Sequence, residues 1–254
     1  MPFLLAISVG NSRTAVGRFR GDDLLGATHL PNGDVAAIVA EAAAQWEHRG
    51  DEDGEVVIAS VNDPVATAVE AKLAGELHTD VWRIGRDLEV PVGRCLDEGA
   101  TPGQDRLLAA AAAFAMAKQA VIVVDAGTAV TVDFVDGEGT FHGGAIAPGA
   151  QLQLDSLHGR TAQLPQVAFA RPGDEPFGRN TVDAMRLGVF EGIRGMVQAL
   201  VERYSASYGA FPLVVATGGD AEALFSDSDL VTRVVPDLVL RGIRVAVRAA
   251  AEAE

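Results

Sequence analysis

An apolar run, Val121-Ile122-Val123-Val124, ends on Asp125; Gly127-Thr128 follows, and a second run alternates through Val130, Val132 and Phe134. A short apolar run, a turn signal and then a period of two predict strand, tight turn, strand. The same pattern opens the chain as Leu5-Ala6-Ile7-Ser8-Val9-Gly10-Asn11-Ser12-Arg13-Thr14-Ala15-Val16. Laid over one another without a gap, Ser8 falls on Asp125, Gly10 on Gly127, Asn11 on Thr128 and Thr14 on Thr131. The chain therefore reads as duplicated, although the pattern alone also fits two unrelated buried hairpins.

Elsewhere the pattern alternates between helix and strand. Residues 34–48 carry Ala and Val on one helical face behind a capping Asp34, and 55–61 form a buried strand. Asp63 is a cap candidate with Pro64 at the first helical position, opening a helix over 65–77. A short strand over 81–84 precedes a Gly-, Pro- and charge-rich loop over 85–103, and an Ala-rich helix spans 105–118. The second half continues with a helix over 183–208, a strand over 213–216, a turn over 217–220 and a closing helix from 242. Gly192 and Gly195 inside the long helix predict close packing against a neighbouring backbone. This interleaving gives an α/β architecture. The duplication divides it at the Ala-rich helix, into 1–112 and 113–254.

Composition narrows the function. Apolar residues make up 48% of the 254 and charged residues 22%, the profile of a globular chain. Acidic residues outnumber basic ones 35 to 20, and the only lysines are Lys72 and Lys118. Without a basic stripe the chain does not read as a nucleic-acid binder, and an anionic substrate needs a local patch of Arg. The start lacks a basic leader and no apolar run is long enough to span a bilayer, so the expected location is the cytoplasm, away from membranes. The single Cys95 excludes an internal disulfide and a Cys cluster for zinc.

Glycine turns end or follow apolar strands at Gly10-Asn11-Ser12, Gly127-Thr128, Gly143-Gly144 and Thr217-Gly218-Gly219. Such turns let a ligand approach the backbone, and their amides can cradle phosphate oxygens, while an Asp at a strand end can hold a cation. Gly103-Gln104-Asp105-Arg106 stands where a loop enters a helix. Asp105 there could accept a proton and Arg106 clamp an anion. The spacing equally fits a first-turn Asp favouring the helix dipole and an Arg in solvent.

Taken together, these residues resemble a type III pantothenate kinase, a family of the acetate and sugar kinase, Hsp70 and actin superfamily. The resemblance runs through Gly10-Asn11-Ser12-Arg13-Thr14, Gly103-Gln104-Asp105-Arg106, Asp125-Ala126-Gly127-Thr128-Ala129 and Gly143-Gly144-Ala145-Ile146-Ala147-Pro148-Gly149. It continues through Arg160-Thr161-Ala162-Gln163-Leu164-Pro165, Gly178-Arg179-Asn180-Thr181 and Thr217-Gly218-Gly219. It implies two similar ribonuclease H-like domains of the actin-like ATPase type with the active site in the cleft between them. It also implies ATP-dependent phosphorylation of pantothenate to 4′-phosphopantothenate, the first step of coenzyme A biosynthesis.

By the same resemblance Asp105 is the general base, and Gly103, Gln104, Asp105 and Arg106 bind pantothenate with Leu96 and with Thr181 of a partner subunit in a homodimer. Ser8, Gly10, Asn11, Ser12, Arg13, Thr128, Gly218 and Gly219 meet ATP, and Asp125 holds K+ or NH4+. The cofactors implied are ATP, Mg2+ and that monovalent cation. Ser8 departs from the family, which has an acid there for magnesium, and Leu96 replaces a Tyr that many members place in the pantothenate pocket. The alternative reading is a catalytically weak or silent paralogue that binds pantothenate or nucleotide as a sensor or regulator.

Overall fold

The computed structural model describes residues 2–253. The chain divides into two compact units, one made of 1–93, 97–116 and 237–254 and the other of 94–96 and 117–236. In the first unit β1 (Phe3–Val9), β2 (Arg13–Arg20) and β3 (Asp23–Pro31) form an antiparallel meander. Next come α1 (Val35–Trp46), β4 (Gly54–Ser60), α2 (Asp63–Leu77) and β5 (Val81–Arg83). β4 and β5 add in parallel on the other side of β1, giving the order β3-β2-β1-β4-β5.

The short β6 (Gly93–Arg94) and the helix α3 (Gln104–Ala117) lead to β7 (Val121–Ala126), β8 (Ala129–Val135) and β9 (Thr140–Pro148). Then follow α4 (Ala150–Arg160), α5 (Thr181–Tyr208), β10 (Leu213–Thr217), α6 (Ala221–Phe225), β11 (Arg233–Val234) and α7 (Leu238–Ala253). The second sheet runs β11-β10-β7-β8-β9-β6, so five of its strands repeat the order and directions of the first sheet. The duplication read from the sequence is thus a repeat of whole sheets.

Each sheet buries apolar strand residues against helices. In the first unit Leu5, Ile7, Val56 and Ile58 pack with Ile38, Val39, Ala42 and Trp46 of α1 and with Ala66, Val69 and Leu73 of α2. Asp34 caps α1, accepting the Ala37 N–H at 2.9 Å. The cap of α2 is Asn62 rather than Asp63, whose carboxylate instead takes Arg83 Nη2 at 3.0 Å. α7 belongs to the first unit, lying on β1, β2 and β4, because Gly242 lets its backbone touch α3; a Cβ there would stand 2.2 Å from the Leu108 carbonyl oxygen. A division at 112/113 leaves that helix with the other half.

In the second unit Ile122, Val124, Val130, Val132 and Val214 pack with Leu154 of α4, with Met185, Val189, Ile193 and Val197 of α5, and with Leu224 of α6. Two glycine readings are corrected here. Gly143 and Gly144 lie inside β9, not in a turn: the β8–β9 register shifts beside them, Gly143 has φ +85°, and Gly144 sits against the Val132 carbonyl. Gly192 and Gly195 touch nothing, since a Cβ at either would meet no atom within 4 Å; they leave a bare stretch on α5.

The segment ahead of α5 is tied down electrostatically. Asp227 bonds Arg171 and Arg194, the latter at 2.7 Å, and both guanidiniums stand over the Phe190 ring. Arg194 and then Arg171 hold the Asp227 carboxyl at about 2, below the usual carboxylate range. A depressed acid stabilises the fold above its unfolded pKa of about 3.9 and loses that contribution as pH falls through the folded value. The gap in melting temperature between the natural chain and Asp227→Asn should therefore be constant above about pH 4 and close as pH falls to about 2. A gap unchanged at the acid end contradicts the clamp.

Candidate functional site

In the first unit the predicted residues collect at the carboxyl ends of β1 and β4, the position where open α/β sheets take ligands. The Val61 N–H donates to the Val9 carbonyl at 3.0 Å, and a Cβ on Gly103 would meet the Val61 side chain at 3.6 Å. The Gly10-Asn11-Ser12-Arg13 turn and the Gly103-Gln104-Asp105-Arg106 helix start thereby share one sheet edge. The Asp105 carboxylate folds back over Gly103, where a Cβ would come within 2.5 Å of Oδ1, and that oxygen accepts the Arg106 N–H at 2.8 Å. The helix N-terminus favours negative charge at this place.

Gln104 turns the other way. Its amide nitrogen lies on Gly85, where a Cβ would approach within 2.5 Å, and Oε1 is buried without a hydrogen-bond partner. Alongside it runs a groove of about 760 Å³ lined by Ser60, Asp63, Glu70, Arg83 and Gly85. Arg83 pairs there with Asp63 and with Glu70 at 3.1 Å.

Ser8 is the penultimate residue of β1, in register with Ala15 and Ala59. A hydroxyl between two methyl groups does not fit a hard divalent cation, which takes carboxylate and carbonyl oxygens. Among the described residues no three His, Cys, Asp or Glu side chains gather into a metal site. The pairing also corrects the ungapped overlay. Val9 pairs with Thr14 whereas Ala126 pairs with Val130, so the first turn is one residue longer and Ala15, not Thr14, corresponds to Thr131.

In the second unit the counterpart position is richer in oxygen. Asp125 is the penultimate residue of β7, in register with Thr131 and Thr217. Gly218, at φ +95°, brings its backbone against this carboxylate; a Cβ there would lie 2.5 Å from Asp125 Oδ1 and 2.4 Å from the Ala126 carbonyl oxygen. Gly127 and Thr128 follow in the adjoining turn, and nothing crowds Gly219. This carboxylate, with hydroxyls in register on both sides, fits a cation.

Leu96 packs near Gly143, 3.3 Å from where a Cβ would stand. Thr181 opens α5 behind the Asn180 cap, whose side chain accepts the Asp183 N–H at 3.0 Å. It lines a mostly apolar groove of about 690 Å³ with Pro148, Leu152, Leu157, Met185 and Val189. Ile146, Leu152 and Phe177 are large exposed apolar residues, Phe177 at 72%.

The sequence reading missed Asn32, whose side chain sits behind the first turn, because its partners lie 18 to 22 residues away in the chain.

A family profile described as type III pantothenate kinase matches residues 4–203. Type III pantothenate kinases from Syntrophotalea carbinolica and Rhodospirillum rubrum are 33% and 35% identical over 248 and 252 residues, covering 95% of this chain and 97% and 96% of theirs. Among solved structures, a Campylobacter jejuni protein described as a Baf family transcriptional activator superposes with TM-score 0.63 at 19% identity, over 98% of this chain and 99% of that one. Component A of (R)-2-hydroxyglutaryl-CoA dehydratase from Acidaminococcus fermentans gives 0.56 at 13% identity over the whole of both chains. These likenesses, with the repeated sheet order, give the fold as two ribonuclease H-like units of the actin-like ATPase type. Among the described residues no helix is long and apolar enough to cross a membrane.

Proposed function

From the type III pantothenate kinase family, to which this chain belongs, we propose that the protein transfers the γ-phosphoryl group of ATP to the primary hydroxyl of pantothenate. The observation that carries this reading is the start of α3, where Gly103 makes room for the Asp105 carboxylate at a helix N-terminus. Asp105 accepts the proton of the attacking hydroxyl. Arg106 holds the anionic end of the substrate, and Gln104 stands beside it at the helix start. Leu96, beside Gly143 in the second unit, is a candidate apolar contact for the substrate.

The turns do the rest. Backbone amides around Gly10, Asn11, Ser12 and Arg13 align the phosphate chain; Thr128, Gly218 and Gly219 are the candidate ATP contacts of the second unit. Phosphoryl transfer asks for alignment and charge stabilisation more than for covalent help. Asp125 is the residue that would hold a potassium or ammonium ion, which supplies positive charge beside the phosphates. Divalent magnesium belongs to the substrate as MgATP, since Ser8 offers it no carboxylate. The test is ADP release from ATP and pantothenate in potassium against sodium buffer: pantothenate-dependent turnover that needs potassium or ammonium supports the reading, and none in either buffer defeats it.

The apolar groove beside Thr181 is assigned to a second copy of the chain, which brings Thr181 to the partner's pantothenate. Exposed Phe177, Leu152 and Ile146, together with the bare glycine stretch of α5, suit a helix-packed interface. Leu152→Glu should shift the sedimentation coefficient from dimer to monomer and remove pantothenate binding; a variant that stays dimeric contradicts this interface.

Ser8 favours a second reading, that of a weak or silent copy acting as a sensor. It expects melting shifts with ATP or pantothenate without turnover, and no shift with either ligand defeats it.

A further inference from the structure

In both units the end of the third strand crosses behind the first hairpin turn. In the second unit the Gly149 N–H donates to the Thr128 carbonyl at 3.0 Å, while the Gly127 N–H closes the turn on Ala129 at 2.9 Å. A Cβ on Gly149 would stand 2.0 Å from the Gly127 carbonyl oxygen and 2.6 Å from that of Thr128, so bare backbone fills the space. In the first unit the corresponding amide is that of Asn32, donating to Ser12 at 3.1 Å, and the Gly10 N–H closes the turn on Arg13 at 3.0 Å.

The first turn is one residue longer, and the Asn32 carboxamide occupies the extra room. Its Nδ2 donates to the Gly10 carbonyl at 2.8 Å and to the Asn11 carbonyl at 3.1 Å. Its Oδ1 accepts the hydroxyl of Thr14, a fully buried side chain, at 2.8 Å. Two carbonyls can only accept, so the amide group must face the turn, and Thr14 fixes that orientation from the other end.

A trans peptide points its C=O and N–H in opposite directions. Pinning the Gly10 and Asn11 carbonyls toward Asn32 therefore turns the Asn11 and Ser12 N–H groups to the far side, as an anion-binding nest requires. We propose that Asn32, set by Thr14, is a positioning residue that shapes the first turn to receive the phosphate chain of a nucleoside triphosphate. This rests on the proposed contact between that turn and ATP. In the second unit the Gly149 backbone fills the corresponding place.

The test is calorimetric binding of ATP and, separately, of pantothenate to the full chain. Asn32→Ala and Asn32→Asp should each weaken ATP about tenfold, while pantothenate affinity stays near that of the natural chain. Thr14→Val should weaken ATP in the same direction and Thr14→Ser restore it; this pair carries the test if the Asn32 variants do not fold. Ser12→Glu, an exposed change that sets a negative charge on the turn, tests the underlying contact. If Ser12→Glu weakens ATP and Asn32→Ala does not, the role of Asn32 is wrong and the contact stands. If Ser12→Glu leaves ATP binding intact, the contact is wrong and the role falls with it. Equal weakening of ATP and pantothenate by Asn32→Ala means general loosening and overturns the proposal.

Discussion

Ser8→Asp raises kcat for pantothenate phosphorylation by about a hundredfold, with little change in the melting temperature. The position is half-buried near the end of β1, and its neighbours in register, Ala15 and Ala59, are small enough to leave room for a carboxylate. A carboxylate there adds a hard oxygen ligand for the cation that travels with ATP. If that contact is worth roughly 3 to 5 kcal/mol in the transition state, the rate differs by about a hundredfold to a few thousandfold. Steady-state kinetics of the two proteins at saturating ATP give the answer directly. A variant no faster than the natural chain contradicts the view that Ser8 weakens a kinase site. Turnover in the variant alone moves the natural chain to the sensor reading.

Asp105→Asn lowers kcat by about a hundredfold to ten-thousandfold, the span over which a general base acts. The substitution keeps the size of the side chain and an oxygen for the Arg106 N–H, so the α3 start should hold its shape. It removes only the capacity to take a proton. Pantothenate KM should therefore change little, and the loss should sit in kcat. A variant with kcat intact and KM raised would make Asp105 a binding group rather than a base.

Much of the architecture is legible in the residues because both hairpins carry their signal locally. Leu5 to Val9 and Val121 to Val124 are short apolar runs closed by glycine, and each reappears as the central antiparallel pair of a sheet. What local pattern cannot supply is the length of a turn between paired strands. Overlaying Thr14 on Thr131 ignores the extra residue, and only the hydrogen-bonded register puts Ala15 opposite Ser8. The same limit hides β9 behind Gly143 and Gly144, whose bulge imitates a turn, and hides the attachment of α7, which depends on Gly242 meeting Leu108 across more than a hundred residues.

The candidate site divides in the same way. Asp105, Asp125, Thr128 and Gly218 are marked by short motifs, since a strand end, a glycine and a polar residue lie next to one another in the sequence. Asn32 carries no such mark. It lies two residues ahead of the capping Asp34, and its function as a support for Gly10 and Asn11 exists only once β3 folds beside β2. Gly192 and Gly195 show the opposite error: small residues in a helix can mark a face left bare within one chain rather than a close packing already made.

The most direct measurement of the central claim is mass-spectrometric detection of 4′-phosphopantothenate formed from ATP and pantothenate by the natural chain in potassium buffer, with Asp105→Asn as the blank. Product should accumulate with enzyme and time, at a rate about a hundredfold or more above that of the variant. No product above that blank, or equal product from both, would contradict that claim.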